Sequence, residues 1–143
     1  MSRSNRLHSR WLVAGVGMVL LLGHVRGHGQ EASRVSFKQD VQPIFNARCV
    51  VCHVAGAESG ELNLQRSVAY ENLVGVDSVQ APLARVSAGA PSKSYLMHKL
   101  RGTQALAEGS GVAMPFSDGS AIPLPAAEIE LIERWIEQGA EKN

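Results

Sequence analysis

Residues 49–53 read Cys49-Val50-Val51-Cys52-His53, and this pentapeptide contains both cysteines of the 143-residue chain. A spacing of three residues puts the two sulfur atoms on one side of a helical turn. The imidazole of His53 follows directly after the second sulfur. Three groups that bind metals or form covalent links therefore fall within five residues, and the pentapeptide predicts a binding site that begins where a helix ends.

The C-x-x-C-H spacing is typical of covalent haem attachment. Both thiols can reach the two vinyl groups of one haem and form thioethers, and the imidazole can then ligate the iron from below the ring. Covalent attachment suits an exported protein, because the cofactor cannot be lost by dilution. We therefore expect one haem c, with Cys49 and Cys52 as thioether residues and His53 as the proximal iron ligand.

Three other interpretations of the pentapeptide are weaker. A zinc site needs about four nitrogen or sulfur ligands, and residues 30–143 offer only His98 outside the pentapeptide. A thioredoxin-like pair would follow a strand, whereas the residues before Cys49 predict a helix. A structural disulfide would leave His53 unexplained and would close a loop too small to stabilise the fold much.

The amino-terminal segment has the charge pattern of an export signal. No acidic residue precedes Glu31, so residues 1–29 carry a formal charge of +4 and residues 30–143 carry −3. An apolar run of 13 residues, Trp11 to Gly23, follows the basic start, whereas a membrane-spanning helix needs about 20. We therefore expect a secretory signal peptide over residues 1–29 and an exported, periplasmic domain over residues 30–143. An uncleaved membrane anchor is the alternative.

The overall composition excludes other classes of function. The whole chain has 14 basic and 13 acidic residues, which is not the strongly basic balance of a nucleic-acid-binding protein. No pair of carboxylates, no nucleophile with an adjacent base and no phosphate-binding glycine loop stands out. We therefore expect no nucleic-acid partner and no catalytic residues.

Start and stop signals predict three or four helices joined by long loops. Asp40 as N-cap, with Pro43 in the first turn, predicts a helix from about Val41 into the cysteines. Further helices are predicted over residues 67–74, 92–100 and 126–138, with Gly75, Gly102 and Gly139 as their stop signals. Residues 76–91 and 103–125 show no sustained period, and no convincing strand pair is predicted. We expect an all-α domain of three to four helices and long loops packed around one covalently attached haem.

Motifs spread over residues 36–140 give the chain a family resemblance. They are Phe37, Asp40-Val41, Pro43-Ile44-Phe45, Cys49-Val50-Val51-Cys52-His53, Gly60-Glu61-Leu62-Asn63-Leu64, Gly89 with Ser94 and Leu96, Met114-Pro115, and Trp135-Ile136-Glu137-Gln138-Gly139-Ala140. With these motifs in this order, the chain resembles the class I bacterial cytochromes c, and most closely the planctomycete-type cytochrome c domain. The resemblance implies a mono-haem, all-α electron carrier, with His53 as the proximal ligand and Met114 as the distal ligand. Two departures are visible, since Pro125 stands where a capping Ser or Thr is usual and Phe116 where many relatives have a second proline.

The distal ligand can also be sought without the family. After Gln30, the remaining soft or imidazole ligands are Met97, His98 and Met114. Met97 and His98 lie on adjacent positions of a predicted helix. Met114 lies in a loop that can fold over the opposite face of a haem, and the following proline stiffens that loop. This favours Met114, with His98, Met97 and an open iron position as the alternatives.

An imidazole and a thioether as axial ligands predict electron transfer. A thioether raises the reduction potential, and six-coordinate iron leaves no open position for oxygen or peroxide. We expect one-electron transfer between redox partner proteins, with Arg48 and Arg101 as candidates for neutralising the haem propionates. The charge of −3 predicts a basic docking surface on the partner, and membrane contact is expected only with an uncleaved leader. A subunit of a larger exported dehydrogenase or oxidase complex, and a five-coordinate haem sensor or enzyme, are the alternatives.

Overall fold

The computed structural model describes residues 33–56 and 60–143, so the expected signal peptide over residues 1–29 lies outside the described residues. Within them the chain is helix-rich, as the predicted all-α class requires, and contains one short hairpin. None of the helices in this part of the chain is long and apolar enough to span a bilayer. The elements are α1 (Gln42–Arg48), α2 (Ala69–Leu73), α3 (Tyr95–Arg101), β1 (Phe116–Ser117), β2 (Ser120–Ala121) and α4 (Ala126–Glu137).

The helical segment that leads to the cysteines begins earlier than predicted. A π-helical turn, Phe37–Val41, runs directly into α1, and its N-cap is Ser36. The Ser36 hydroxyl accepts the Gln39 N–H at 3.1 Å, while the Asp40 carboxylate accepts the Ser36 N–H at 2.8 Å. This reciprocal pairing resembles a capping box. The predicted N-cap at Asp40 is therefore wrong, because its carboxylate binds the residue that does the capping.

The start of α3 also differs from the prediction by two residues. Residues Pro91–Lys93 form a 3₁₀ turn, and Ser94 rather than Ser92 precedes α3. The Ser94 hydroxyl accepts the Ser87 N–H at 2.9 Å and donates to the Ala90 carbonyl at 2.9 Å, so it fastens the preceding loop. The predicted end is confirmed, since Gly102 follows α3 with φ of 67°.

A cluster of aromatic rings packs α4 against the start of the helical segment. The ring centroid of Phe37 lies 5.1 Å from that of Trp135 and 5.3 Å from that of Tyr70. Ile132, Trp135 and Ile136 are buried, as the helical period predicted, and Ile129 is partly buried. This packing holds the first turn of the helical segment against α4.

The loop before α4 contains the hairpin that the sequence did not predict. Strands β1 and β2 pair antiparallel, with Ser117 opposite Ser120. The two residues between them, Asp118 and Gly119, have φ of 52° and 82°. Positive φ at both central positions is typical of a type I′ turn, for which Asp-Gly is a favoured pair. The expectation of no strand pair is corrected to this extent.

Candidate cofactor site

A cavity of about 380 Å³ brings together all four residues that the sequence singled out. Cys49, Cys52, His53 and Met114 all line it, although the first three are separated from the fourth by about 60 positions. Cofactor and small-molecule sites typically have volumes of about 300–1,000 Å³. The cavity therefore has the size of a ligand site, and the predicted residues share its wall.

The pentapeptide forms a helical turn that continues α1. Cys49 is the C-cap residue of α1. Its carbonyl accepts the N–H of Cys52 at 3.1 Å and that of His53 at 2.9 Å. The carbonyl of His53 in turn accepts the N–H of Leu64 at 2.8 Å. The turn is therefore hydrogen-bonded to the end of α1 and to Leu64. The side chains of Cys49, Cys52 and His53 all line the cavity.

The two thiols differ in exposure. Cys49 is half-buried, Cys52 is exposed, and both are free thiols. Burial raises the pKa of Cys49 to about 12, and the nearby Glu128 carboxylate acts in the same direction. Cys49 therefore keeps its proton at neutral pH, and neither sulfur atom forms a disulfide.

Met114 lies on the cavity wall in a loop that is bonded to α3. Its N–H donates to the Lys99 carbonyl at 2.9 Å, and its bond to Pro115 is cis. The other two candidate ligands do not line the cavity. Met97 is 1% exposed within the hydrophobic core, and the His98 ring is hydrogen-bonded to the Thr103 hydroxyl at 3.0 Å.

Most of the cavity wall is apolar. Leucines from α2, α3 and the loops lie beside prolines of the Met114 loop, and the side chains of Val51, Phe116 and Ile122 are both exposed and part of the lining. Such a wall would exclude water from the interior of a bound ligand while leaving one side open to solvent. The leucines are Leu62, Leu64, Leu73, Leu96, Leu100 and Leu124.

Two cations that the sequence did not reveal also line the cavity. The Arg85 guanidinium donates to the carbonyls of Asn72, Gly60 and Glu61 at 2.8, 3.0 and 3.0 Å. Lys99 is only 8% exposed, and within the described residues no carboxylate forms an ion pair with it. Burial lowers the pKa of both cations. A ligand that placed negative charge here would compensate this desolvation.

Gln80 lies close to two glycines that neighbour the two cations. A Cβ at Gly60, whose carbonyl binds Arg85, would lie 3.6 Å from the Gln80 side chain. A Cβ at Gly111 would lie 3.3 Å from the same side chain and 2.9 Å from Lys99 Nζ. We call Ser78, Gln80, Arg85 and Lys99 the cationic edge, since all four line the cavity.

The two arginines proposed from sequence both form ion pairs with glutamates of α4. Arg48 lines the cavity, but its guanidinium pairs with Glu128 at 3.3 Å. Arg101 pairs with Glu133 at 2.5 Å and is absent from the lining. The structure therefore places Arg101 outside the cavity wall, with its side chain directed from α3 to α4.

Displaced pKa values concentrate at this cavity. Burial is the main cause of the displacement at Cys49, Arg85, Tyr95 and Lys99, and all four groups line the cavity. The other displaced groups in the described ranges, Arg34 and Glu71, belong to surface ion pairs. Such a concentration of perturbed groups is a mark of functional sites.

Comparisons with protein-family models, curated proteins and solved structures found no match to this chain. In residues 33–56 and 60–143, no three His, Cys, Asp or Glu side chains are grouped so that they could hold a metal ion. The groups that line the cavity are two thiols, one imidazole, one thioether, an apolar wall and the cationic edge.

Proposed function

We propose that this protein is an exported, mono-haem c-type cytochrome that transfers single electrons between redox partners. The observation that carries the proposal is the shared cavity of Cys49, Cys52, His53 and Met114. The motifs that resemble class I cytochromes c, and the planctomycete-type domain in particular, support the same assignment. The all-α domain would then be a small cytochrome fold around one haem c.

The described residues fit a haem. Both thiols are free, and they would hold the ring through thioethers. The leucine-rich wall suits an apolar macrocycle. The cationic edge suits the two propionates, because Arg85 and Lys99 are desolvated and neither forms an ion pair with a carboxylate in the described ranges. In this proposal, Arg85 and Lys99 take the role that the sequence suggested for Arg48 and Arg101.

Each residue has a distinct role in the proposal. A bound haem would supply an iron that alternates between the ferric and ferrous states. His53 and Met114 would occupy its two axial positions, and the thioether of Met114 would favour the ferrous state and raise the potential. The apolar wall would keep water from the iron. Val51, which is 82% exposed beside the cavity, would mark the side from which a partner approaches.

The proposed location and partner follow from the sequence pattern. A leader over residues 1–29 would export the domain to the periplasm, or would anchor it if left uncleaved. The charge of −3 over residues 30–143 and two propionates would favour a partner with a basic docking surface.

Maturation in a host with a haem-attachment system tests the proposal directly. We expect purified protein with the absorption of c-type haem, and with haem that stays on the polypeptide after denaturation. Cys49→Ser and Cys52→Ser should each weaken this attachment, since one thioether is lost. Wild-type protein that carries no covalent haem would refute the proposal.

A matched pair of substitutions tests the distal ligand. Met114→Leu should abolish the weak sulfur-to-ferric-iron absorption band at the red end of the spectrum, while Met97→Leu should retain it. Both changes nearly conserve volume, so packing changes are small. Retention of the band in Met114→Leu would exclude Met114 as ligand. Rapid carbon monoxide binding to the reduced wild-type protein would favour a five-coordinate sensor or enzyme instead.

A further inference from the structure

The loop that carries Met114 rests on the side chain of Tyr95. The Tyr95 hydroxyl donates to the Ser110 carbonyl at 2.6 Å. The neighbouring Gly109 lies directly on the ring, since a Cβ at this position would be 2.4 Å from Tyr95 Cε2 and 2.6 Å from its oxygen. Glycine is therefore required at position 109 by lack of space, and the backbone of residues 109–110 is fitted to the tyrosine.

The other end of the same loop is bonded one helical turn further along α3. The Met114 N–H donates to the carbonyl of Lys99 at 2.9 Å, and residues 95 and 99 lie on the same face of the helix. Between these two points, a Cβ at Gly111 would lie 2.9 Å from Lys99 Nζ. The whole segment from Gly109 to Met114 thus follows one face of α3.

Tyr95 is itself firmly placed. Its side chain is 4% exposed, and its N–H donates to the Ala84 carbonyl at 2.9 Å. Burial raises the pKa of the phenol, so the hydroxyl keeps its proton at neutral pH and acts as the donor. The tyrosine is therefore a fixed point against which the loop is held.

We propose that Tyr95 is a positioning residue for Met114. By holding the backbone at Gly109 and Ser110, it restricts the loop and sets how readily the Met114 thioether leaves the iron. This inference rests on the proposed function, in which Met114 is the distal ligand. Tyr95 acts through the loop, at a point four residues before the bond between Met114 and Lys99.

Imidazole binding to the ferric holoprotein measures this restraint, because imidazole must displace the methionine. Tyr95→Phe removes one hydrogen bond and keeps the ring. We expect imidazole to bind about fivefold more tightly, which corresponds to about 1 kcal/mol at 25 °C. The sulfur-to-iron band should also disappear at a lower temperature than in the wild-type protein.

A second variant reaches the same contact from the loop side. Gly109→Ala keeps the hydroxyl, but its Cβ cannot fit against the Tyr95 ring. Because the loop is displaced, we expect the ferric Gly109→Ala holoprotein to bind imidazole at least as tightly as the Tyr95→Phe holoprotein does. If Tyr95→Phe fails to mature, this variant decides the question alone, and an unchanged imidazole affinity overturns the proposal.

Tyr70→Phe is the matched control. It removes a hydrogen bond of the same type, from the Tyr70 hydroxyl to the Ala140 carbonyl at 3.0 Å, and Tyr70 does not line the cavity. This variant should lose thermal stability and keep the wild-type imidazole affinity. An equal gain in affinity in Tyr70→Phe would show a general loss of stability and overturn the positioning role.

Two failures are distinguishable. A wild-type holoprotein without the sulfur-to-iron band overturns the axial assignment, and the role of Tyr95 with it. A wild-type protein with the band, together with Tyr95→Phe of unchanged imidazole affinity, overturns the role of Tyr95 alone.

Discussion

Replacing Arg85 by methionine removes three hydrogen bonds and one positive charge from the cationic edge. The guanidinium binds the carbonyls of Asn72, Gly60 and Glu61. A hydrogen bond to a charged group contributes about 1.5–3 kcal/mol when it is buried. Arg85 is only half-buried, so we take about 1 kcal/mol for each bond and expect a loss of about 3 kcal/mol in all.

This loss is large enough to measure by thermal unfolding of the holoprotein. For a domain of this size, about 1 kcal/mol shifts the melting temperature by about 4 °C. We therefore expect Arg85→Met to melt about 12 °C below the wild-type protein. Circular dichroism at the helix signal follows the transition. A shift below about 3 °C would refute this assignment of energy to the three bonds.

The positive charge of Arg85 is tested separately by Arg85→Lys. A lysine at this position keeps the charge but cannot bind all three carbonyls, so the melting temperature of Arg85→Lys should also fall. If the proposed haem is bound, loss of a cation beside it favours the ferric state, so Arg85→Met should have a lower reduction potential than Arg85→Lys. A redox titration measures this difference, and equal potentials in the two variants would show that the cationic edge does not face the haem.

Arg66→Met is the control for both measurements. Arg66 is exposed, and no hydrogen bond or ion pair of its guanidinium is recorded within residues 33–56 and 60–143. Its replacement should change the free energy of unfolding by less than about 0.5 kcal/mol. A shift as large as that of Arg85→Met would point to net charge as the cause.

Three further substitutions test the frame around the site. The hydrogen bond from Lys142 holds the pKa of Glu71 below its ordinary value of 4.5. The contribution of this pair to the stability of the fold is therefore present above pH 4.5, and it is lost as the pH falls through the lowered pKa of the folded state. The melting temperature of Glu71→Gln should therefore be lower than that of the wild-type protein at neutral pH, and the two should become equal in acid. Gly139→Ala should lose about 1–2 kcal/mol in denaturant unfolding, because its φ is 102° and its Cβ site is otherwise open. Trp135→Ala should lose about 3–5 kcal/mol in the same assay, since the side chain is 1% exposed and packs on Phe37.

The ends of helices were predictable from sequence more reliably than their starts. Gly75, Gly102 and Gly139 have φ of 71°, 67° and 102°, and positive φ is a local property that glycine signals directly. A start depends on which of several polar side chains reaches a free N–H. Ser36 and Asp40 both could, and their reciprocal bond decides the outcome. The hairpin was missed because Asp118-Gly119 is flanked by two-residue strands without apolar alternation.

The candidate site divides in the same way. The pentapeptide could be singled out by its spacing and residue types, and Met114 by its place in a loop and by the family resemblance, and all four of these predicted residues line the cavity. Arg85 lies in a segment without a period, and it joins the site through contacts with Gly60, 25 positions away. Such a contact depends on how the loops pack, which no local pattern encodes. Lys99 and Tyr95 belong to a predicted helix, but nothing in its sequence marks the face that lines a cavity.

Helix α3 supports two parts of the site that the sequence treats as separate. Its residues Tyr95 and Lys99 hold both ends of the loop that carries Met114, and Lys99 also supplies a charge of the cationic edge. Arg85 contributes to that edge without contacting the loop: its guanidinium hydrogen bonds go to Asn72, Gly60 and Glu61. In the proposed holoprotein, a shift of α3 would therefore alter both the position of Met114 and the charge of the cationic edge, whereas a change at Arg85 would alter that charge alone. The two effects are separable because the two cations are held by different segments: Lys99 belongs to α3, and Arg85 is held by the carbonyls of Asn72, Gly60 and Glu61.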